Sequence, residues 1–260
     1  MDAHPSDVLV IEHEADCPPG VLTDVLSRAG LTMHLHRPYR GDQLPADLGT
    51  YEGLVVLGGE MGARDDAEHP WLPQTRRLLA LAVDRHLPTL GICLGAQLAA
   101  SALEGRTGRR EQPLVGLTPI ALTDEGEQDP VLGALGTKAP DGNEDSAEEV
   151  RTGEYGTGED GIQVLSWNQD TVTQLPPHWA LLARDADGGI AAFRTGTSLW
   201  AVQFHPEVTA QVVGTWARTS SLTPAGTDPQ AMADAFASAP RVSAGGRALL
   251  EAFAQQVLTD

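Results

Sequence analysis

The heptapeptide Gly91-Ile92-Cys93-Leu94-Gly95-Ala96-Gln97 sets a thiol between a short apolar run and a helix-forming run, with glycine two residues away on either side. A turn tight enough to lift a side chain off a strand end crowds its own backbone. The flanking positions must then be small, which is the logic of a nucleophile elbow. The start of the following helix also favours the sulfur anion through its free amides and dipole. A buried structural cysteine would suit a strand end too, but glycine on both sides weighs against it. A thiol near neutral pH needs a base. Phe204-His205-Pro206-Glu207 follows the β-rich run 199–203. Proline after the histidine fixes the exit direction of the chain, and a carboxylate two residues on can orient one ring nitrogen while the other faces the sulfur. Cys93, His205 and Glu207 are therefore the predicted Cys–His–Glu triad, with Cys93 attacking a carbonyl carbon. Gly58–Gly59, ending the run 53–57, can offer an unobstructed N–H to the resulting oxyanion. The N–H of Leu94, at the start of the elbow helix, is the second predicted donor.

These residues need a scaffold that brings distant strand ends together. Residues 7–12, 31–36, 53–57 and 89–93 read as strands, and 21–29, 71–86 and 94–103 as helices. Such alternation predicts a parallel sheet with helices on both faces. The second half changes character: 114–122, 162–167, 180–183, 190–193 and 199–204 are short, closely spaced strands. They predict β-hairpins extending a mixed sheet within one domain, 1–260. Between 136 and 161 the chain is rich in Gly, Asp and Glu with few large apolar residues, and it is expected to be a mobile surface insertion. A polar stretch, 219–230, precedes two predicted C-terminal helices, 231–237 and 247–258.

Taken together, GICLGAQ, the upstream Leu57-Gly58-Gly59 loop and the downstream Gln203-Phe204-His205-Pro206-Glu207 resemble the class I glutamine amidotransferase family. The stretch 57–72 (LGGEMGARDDAEHPWL) is similar to stand-alone members related to the amidotransferase domain of guanosine monophosphate synthetase. The resemblance implies an α/β, flavodoxin-like three-layer sandwich around a central mixed, mostly parallel sheet. It also implies that Cys93 forms a γ-glutamyl thioester, that His205 is the acid/base supported by Glu207, and that Gly59 and Leu94 supply the oxyanion amides. Gln97 would contact bound glutamine, and backbone around Gln169 and Asp170 would receive its α-carboxylate and α-amino ends. Two positions depart from the family's pattern. Asn168–Gln169 stand where a histidine-glycine pair is usual, and Glu60 stands where proline is common; a solvent-facing Glu60 is expected.

Composition narrows the setting. A net charge of −19 over 260 residues repels phosphate backbones and anionic lipids, so neither nucleic acid nor membrane is an expected partner. No apolar run approaches the ~20 residues of a membrane helix, and the first residues do not read as a signal peptide. With Cys17 and Cys93 the only cysteines, a reducing cytoplasm is the expected setting. Cys17, in a proline-rich loop after the first strand, on what could be the active-site side but with no elbow, is read as structural or idle. His34 and His36 alternate on one strand face without a third ligand, so no metal site is expected. No phosphate-binding glycine loop is present, and no cofactor is expected. Attaching ammonia to an acid normally requires activation of that acid. The expected partner of a glutaminase without an ATP site is therefore a separate ammonia-accepting synthetase or ligase. A hydrolase of other γ-glutamyl amines or peptides would use the same triad, with the acidic insertion attracting a cationic leaving group. A non-catalytic regulatory subunit would need none of the three side chains.

Overall fold

The computed structural model describes residues 6–136 and 161–259, so nearly all of the expected acidic insertion lies outside the described residues. The chain runs β1 (Asp7–Ile11), α1 (Leu22–Arg28), β2 (Thr32–His36), β3 (Gly53–Val56), α2 (Leu72–Asp84), β4 (Thr89–Ile92) and α3 (Leu94–Ala102). After these come β5 (Arg106–Leu122), α4 (Asp124–Gln128), β6 (Ile162–Gln174), β7 (Ala180–Asp185), β8 (Ile190–Thr195) and β9 (Leu199–Val202). Three helices follow: α5 (Ala210–Thr219), α6 (Pro229–Ala237) and α7 (Pro240–Thr259).

The strands form one sheet in the order β2-β1-β3-β4-β9-β8-β7-β5-β6. From β2 to β9 the pairing is parallel, and from β9 to β6 it is antiparallel. Of the parallel strands, β1, β3, β4 and β9 are buried on both faces, which is why they read as apolar runs, while the edge strand β2 is only half-buried. Val8 and Val10 point to one core with Leu22, Leu26, Leu250 and Phe253. Leu9 and Ile11 point to the other, with Leu72, Leu78, Leu79 and Leu98. Each such side chain contributes about 1.5–3 kcal/mol on burial, and the result is the expected flavodoxin-like sandwich. The chain leaves β1 for β2 on one side and returns to β3 on the other. This topological switch opens a crevice at the carboxyl ends of β1 and β3, the usual ligand position in such sheets.

β5, β6, α5 and α7 differ from the sequence-based expectation. β5 starts at Arg106 rather than 114, and β6 continues to Gln174 rather than 167. A register irregularity between Arg109 and Leu114 absorbs Pro113, whose missing N–H breaks the strand signal in the sequence. Helix α5 was not expected at all, since Val212, Val213, Gly214 and Thr215 are weak helix formers. It is fixed by tertiary packing of Val213 and Trp216 and by its N-cap, where the Thr209 side chain accepts from Val212 N–H at 3.4 Å. Helix α7 begins at Pro240, a turn and more before the expected 247.

Candidate active site

Cys93 is the residue between β4 and α3, with φ 51° and ψ −103°, a conformation that costs a non-glycine residue strain. A Cβ on Gly91 would lie 2.9 Å from the Gly95 carbonyl group, and one on Gly95 would overlap the Val56 carbonyl oxygen. Both glycines are thus required by contact, and the elbow is held against β3. The backbone N–H of Cys93 donates to Val202 O at 2.8 Å, which ties the elbow to β9. Two residues beyond Val202 the chain bridges from Phe204 to Ser166, and His205 N–H donates to Leu165 O at 2.8 Å. The turn is closed from the far side by Val21 N–H donating to Glu207 O at 2.9 Å.

These bonds bring His205 and Cys93 together. His205 Nδ1 lies 2.8 Å from Glu207 Oε1, and both residues are buried, at 4% and 1% exposure. With Nδ1 engaged, Nε2 is the nitrogen left for the Cys93 sulfur, which lines the same cavity as the ring. Burial alone would lower the His205 pKa. The Glu207 carboxylate and the Cys93 sulfur outweigh burial and push it up to about 10. The ring is therefore an imidazolium over most of the pH range, beside the Cys93 sulfur. Trp216 from α5 packs edge-on against the ring, 4.6 Å between centroids. Gly58 completes the fit: a Cβ there would sit 3.0 Å from His205 Cε1 and 3.7 Å from Cys93 Cβ.

A cavity of about 530 Å³ opens over this group, within the usual range of small-molecule sites. Cys93, His205, Gly59, Gln97, Gln169 and Asp170, all singled out in the sequence, line it. Leu94 is fully buried beneath it and begins α3, so its amide is one that a helix leaves without an internal acceptor. Gln97 is buried and its Nε2 donates to Asp170 O at 2.8 Å. Asn168 Nδ2 donates to the same oxygen at 3.0 Å. Arg109 Nη2 donates to Gln169 Oε1 at 2.7 Å. Among the described residues Arg109 is the only lysine or arginine on the wall, which also carries Glu14, Asp16, Glu60 and Asp170. Two buried polar atoms of wall residues, Trp167 Nε1 and Asn168 Oδ1, have no hydrogen-bond partner among the described residues. Glu60 is exposed, as expected, though at the mouth.

The loop after β1 was missed as a functional element. His13 is fully buried and accepts from Trp71 Nε1 at 3.0 Å on its Nδ1, which places the ring proton on Nε2. Burial, then His69, lowers its pKa to about 3, so it is a neutral strut beside Gly59. Cys17, read from the sequence as structural or idle, lines the same cavity, with its thiol donating to Glu14 Oε1 at 3.2 Å. Only the topology rule for the first and third strands would have singled out this loop. His34 pairs with Asp7 at 2.9 Å on the other strand edge. Among the described residues no helix is long and apolar enough to cross a membrane.

Comparison with known proteins gives a consistent picture. The family model described as glutamine amidotransferase class-I matches residues 21–217. The chain is similar to the glutamine amidotransferase-like protein YfeJ of Salmonella typhimurium, 29% identical over 130 residues, 49% of this chain and 54% of that protein. It is also similar to a subunit of the glutamine-hydrolysing GMP synthase of Thermococcus kodakarensis, 31% identical over 124 residues, 47% and 52% of the two chains. The chain thus spans about half the length of these curated relatives. A glutamine amidotransferase from Thermotoga maritima superposes with a TM-score of 0.77 at 22% identity, covering 99% of this chain and 100% of the other, which shows a shared fold.

Proposed function

Because the chain belongs to the class I glutamine amidotransferase family, we propose that it releases ammonia from the side-chain amide of glutamine and passes it to a separate synthetase. The observation that carries the reading is the meeting of Cys93, His205 and Glu207, from the ends of β4 and β9, under one cavity. The Cys93 sulfur attacks the side-chain carbonyl carbon of glutamine. The oxyanion that forms is received by the N–H groups of Gly59 and Leu94. Collapse breaks the C–N bond as His205 gives its proton to the departing nitrogen, leaving ammonia and a γ-glutamyl thioester. His205 then takes a proton from water, whose oxygen displaces the sulfur and yields glutamate. Glu207 fixes the ring tautomer throughout.

The partner follows from chemistry and from the relatives. Ammonia that escapes to water is protonated and loses its nucleophilicity, so a docked acceptor protein is favoured. One relative is itself a subunit of a glutamine-hydrolysing GMP synthase. Glutamate release should rise when the cognate ATP-dependent synthetase is added, with amide nitrogen appearing in its product. Full glutaminase rate alone, unaltered by any such synthetase, would remove the partner from the account. A second reading is favoured by the wall itself, where Glu14, Asp16, Glu60 and Asp170 outnumber Arg109. Such a wall suits a cationic leaving group, as in a γ-glutamyl polyamine. Comparing kcat/KM for glutamine and for γ-glutamyl amines separates the two: preference for glutamine supports the first, a ten-fold or larger preference for the amine (about 1.4 kcal/mol) the second.

A further inference from the structure

One carboxylate ties two walls of the cavity together. Glu14 Oε1 accepts from the backbone N–H of Glu60 at 3.0 Å and from the Cys17 thiol at 3.2 Å. Glu60 directly follows Gly59, so this bond fixes the peptide plane on the C-terminal side of Gly59. A glycine has the conformational freedom to let that plane rotate, and nothing in its own side chain resists. The Glu14 anchor is itself held. Burial, with the Glu14 carboxylate, pushes the Cys17 pKa well up, so the group remains a thiol and a donor. Trp216 Nε1 donates to Asp16 O at 2.6 Å, which fastens the same loop to α5. His13, one residue before Glu14, is clamped by Trp71.

We propose that Glu14 is a positioning residue whose Oε1 latches the Glu60 N–H to the loop after β1, and that by fixing the peptide after Gly59 it limits the backbone rotation about Gly59 that would swing the preceding peptide, which carries the Gly59 N–H, away from the oxyanion. This rests on the reading of Gly59 as an oxyanion donor in Cys93-dependent amide hydrolysis. The latch needs an acceptor atom at one point in space rather than a charge. Burial raises the Glu14 pKa and the Glu60 and Asp16 carboxylates add to the rise, while the hydrogen bonds from Cys17 and Glu60 oppose it. Glu14→Gln keeps an oxygen at that point. Glu14→Asp keeps the charge but draws the oxygen back by one methylene, and Glu14→Ala removes both.

The test combines amide hydrogen exchange at Gly59 and Glu60 with steady-state glutamine hydrolysis by the intact chain. In Glu14→Ala and Glu14→Asp, exchange at Glu60 should quicken. Their kcat should fall about 10- to 100-fold with KM within about two-fold of wild type, the signature of lost transition-state placement. Glu14→Gln should restore both readouts. The proposal is overturned by unchanged exchange at Glu60 in the alanine variant, or by faster exchange with no fall in kcat. It is equally overturned by a loss that appears in KM, which would make Glu14 a substrate ligand, or by a glutamine variant as impaired as alanine. Should the alanine variant fail to fold, the aspartate–glutamine pair carries the same comparison. A wild type that turns over no γ-glutamyl amide would sink the functional reading, while exchange across the three variants still judges the latch.

Discussion

His205 binds its proton far more tightly in the fold than an open chain would, because Glu207 and the Cys93 sulfur face it in a buried setting. A histidine whose pKa rises from 6.5 to about 10 contributes stability that is complete below pH 6.5 and is lost as pH climbs through 10. His13 has the opposite sign. Its pKa falls from 6.5 to about 3, so its contribution is present above pH 6.5 and lost on acidification towards 3. Replacing Glu207 by Gln removes the carboxylate that opposes burial. The His205 proton should then leave at a clearly lower pH, followed by the titration of its ring Cε1–H resonance by NMR. Glutamine turnover in the same variant should fall about 10²–10⁴-fold, as expected where the group orienting a catalytic histidine is lost. A resonance that titrates as in wild type would show that Glu207 does not govern the ring.

The elbow, the HPE turn and the switch between β1 and β3 are the elements on which the site stands. Gly95→Ala drives a methyl into the Val56 carbonyl, and should lower stability by about 1–3 kcal/mol in urea unfolding while displacing Cys93. Glutamine hydrolysis should fall more than the loss of folded protein explains. An alanine variant with wild-type stability and rate would mean that the elbow is not held against β3. At this scale the parallel half of the sheet was legible because four of its five strands are short, doubly buried apolar runs, among helices of clear period. The Cys93, His205 and Glu207 constellation was legible because glycine and proline mark the turns that carry it. The reach of β5 was not, since Gly108 and Pro113 interrupt its pattern and its pairing with β6 is decided between segments far apart in the chain. Helix α5 was hidden for a related reason, its β-branched residues being overruled by packing around Trp216. The role of the Glu14–Cys17 loop could not be read because a loop's partners are chosen by topology, not by its own spacing.

Across the whole molecule, the site is assembled from stretches far apart in the chain: the loop after β1, the end of β3, the elbow, the middle of β6 and the HPE turn with α5. None of them holds the chemistry alone, and hydrogen bonds pin one to another, from Trp216 to Asp16 and from Glu60 to Glu14. A net charge of −19 repels anionic polymers. That chemistry has one covalent signature. The protein should be mixed with glutamine, quenched in acid within the first turnovers and digested, and its two cysteine peptides weighed. Mass equal to one glutamyl group on the Cys93 peptide, absent in Cys93→Ala and never on the Cys17 peptide, is the expected result. An unmodified Cys93 while glutamate is being released, or the adduct on Cys17 instead, would contradict it.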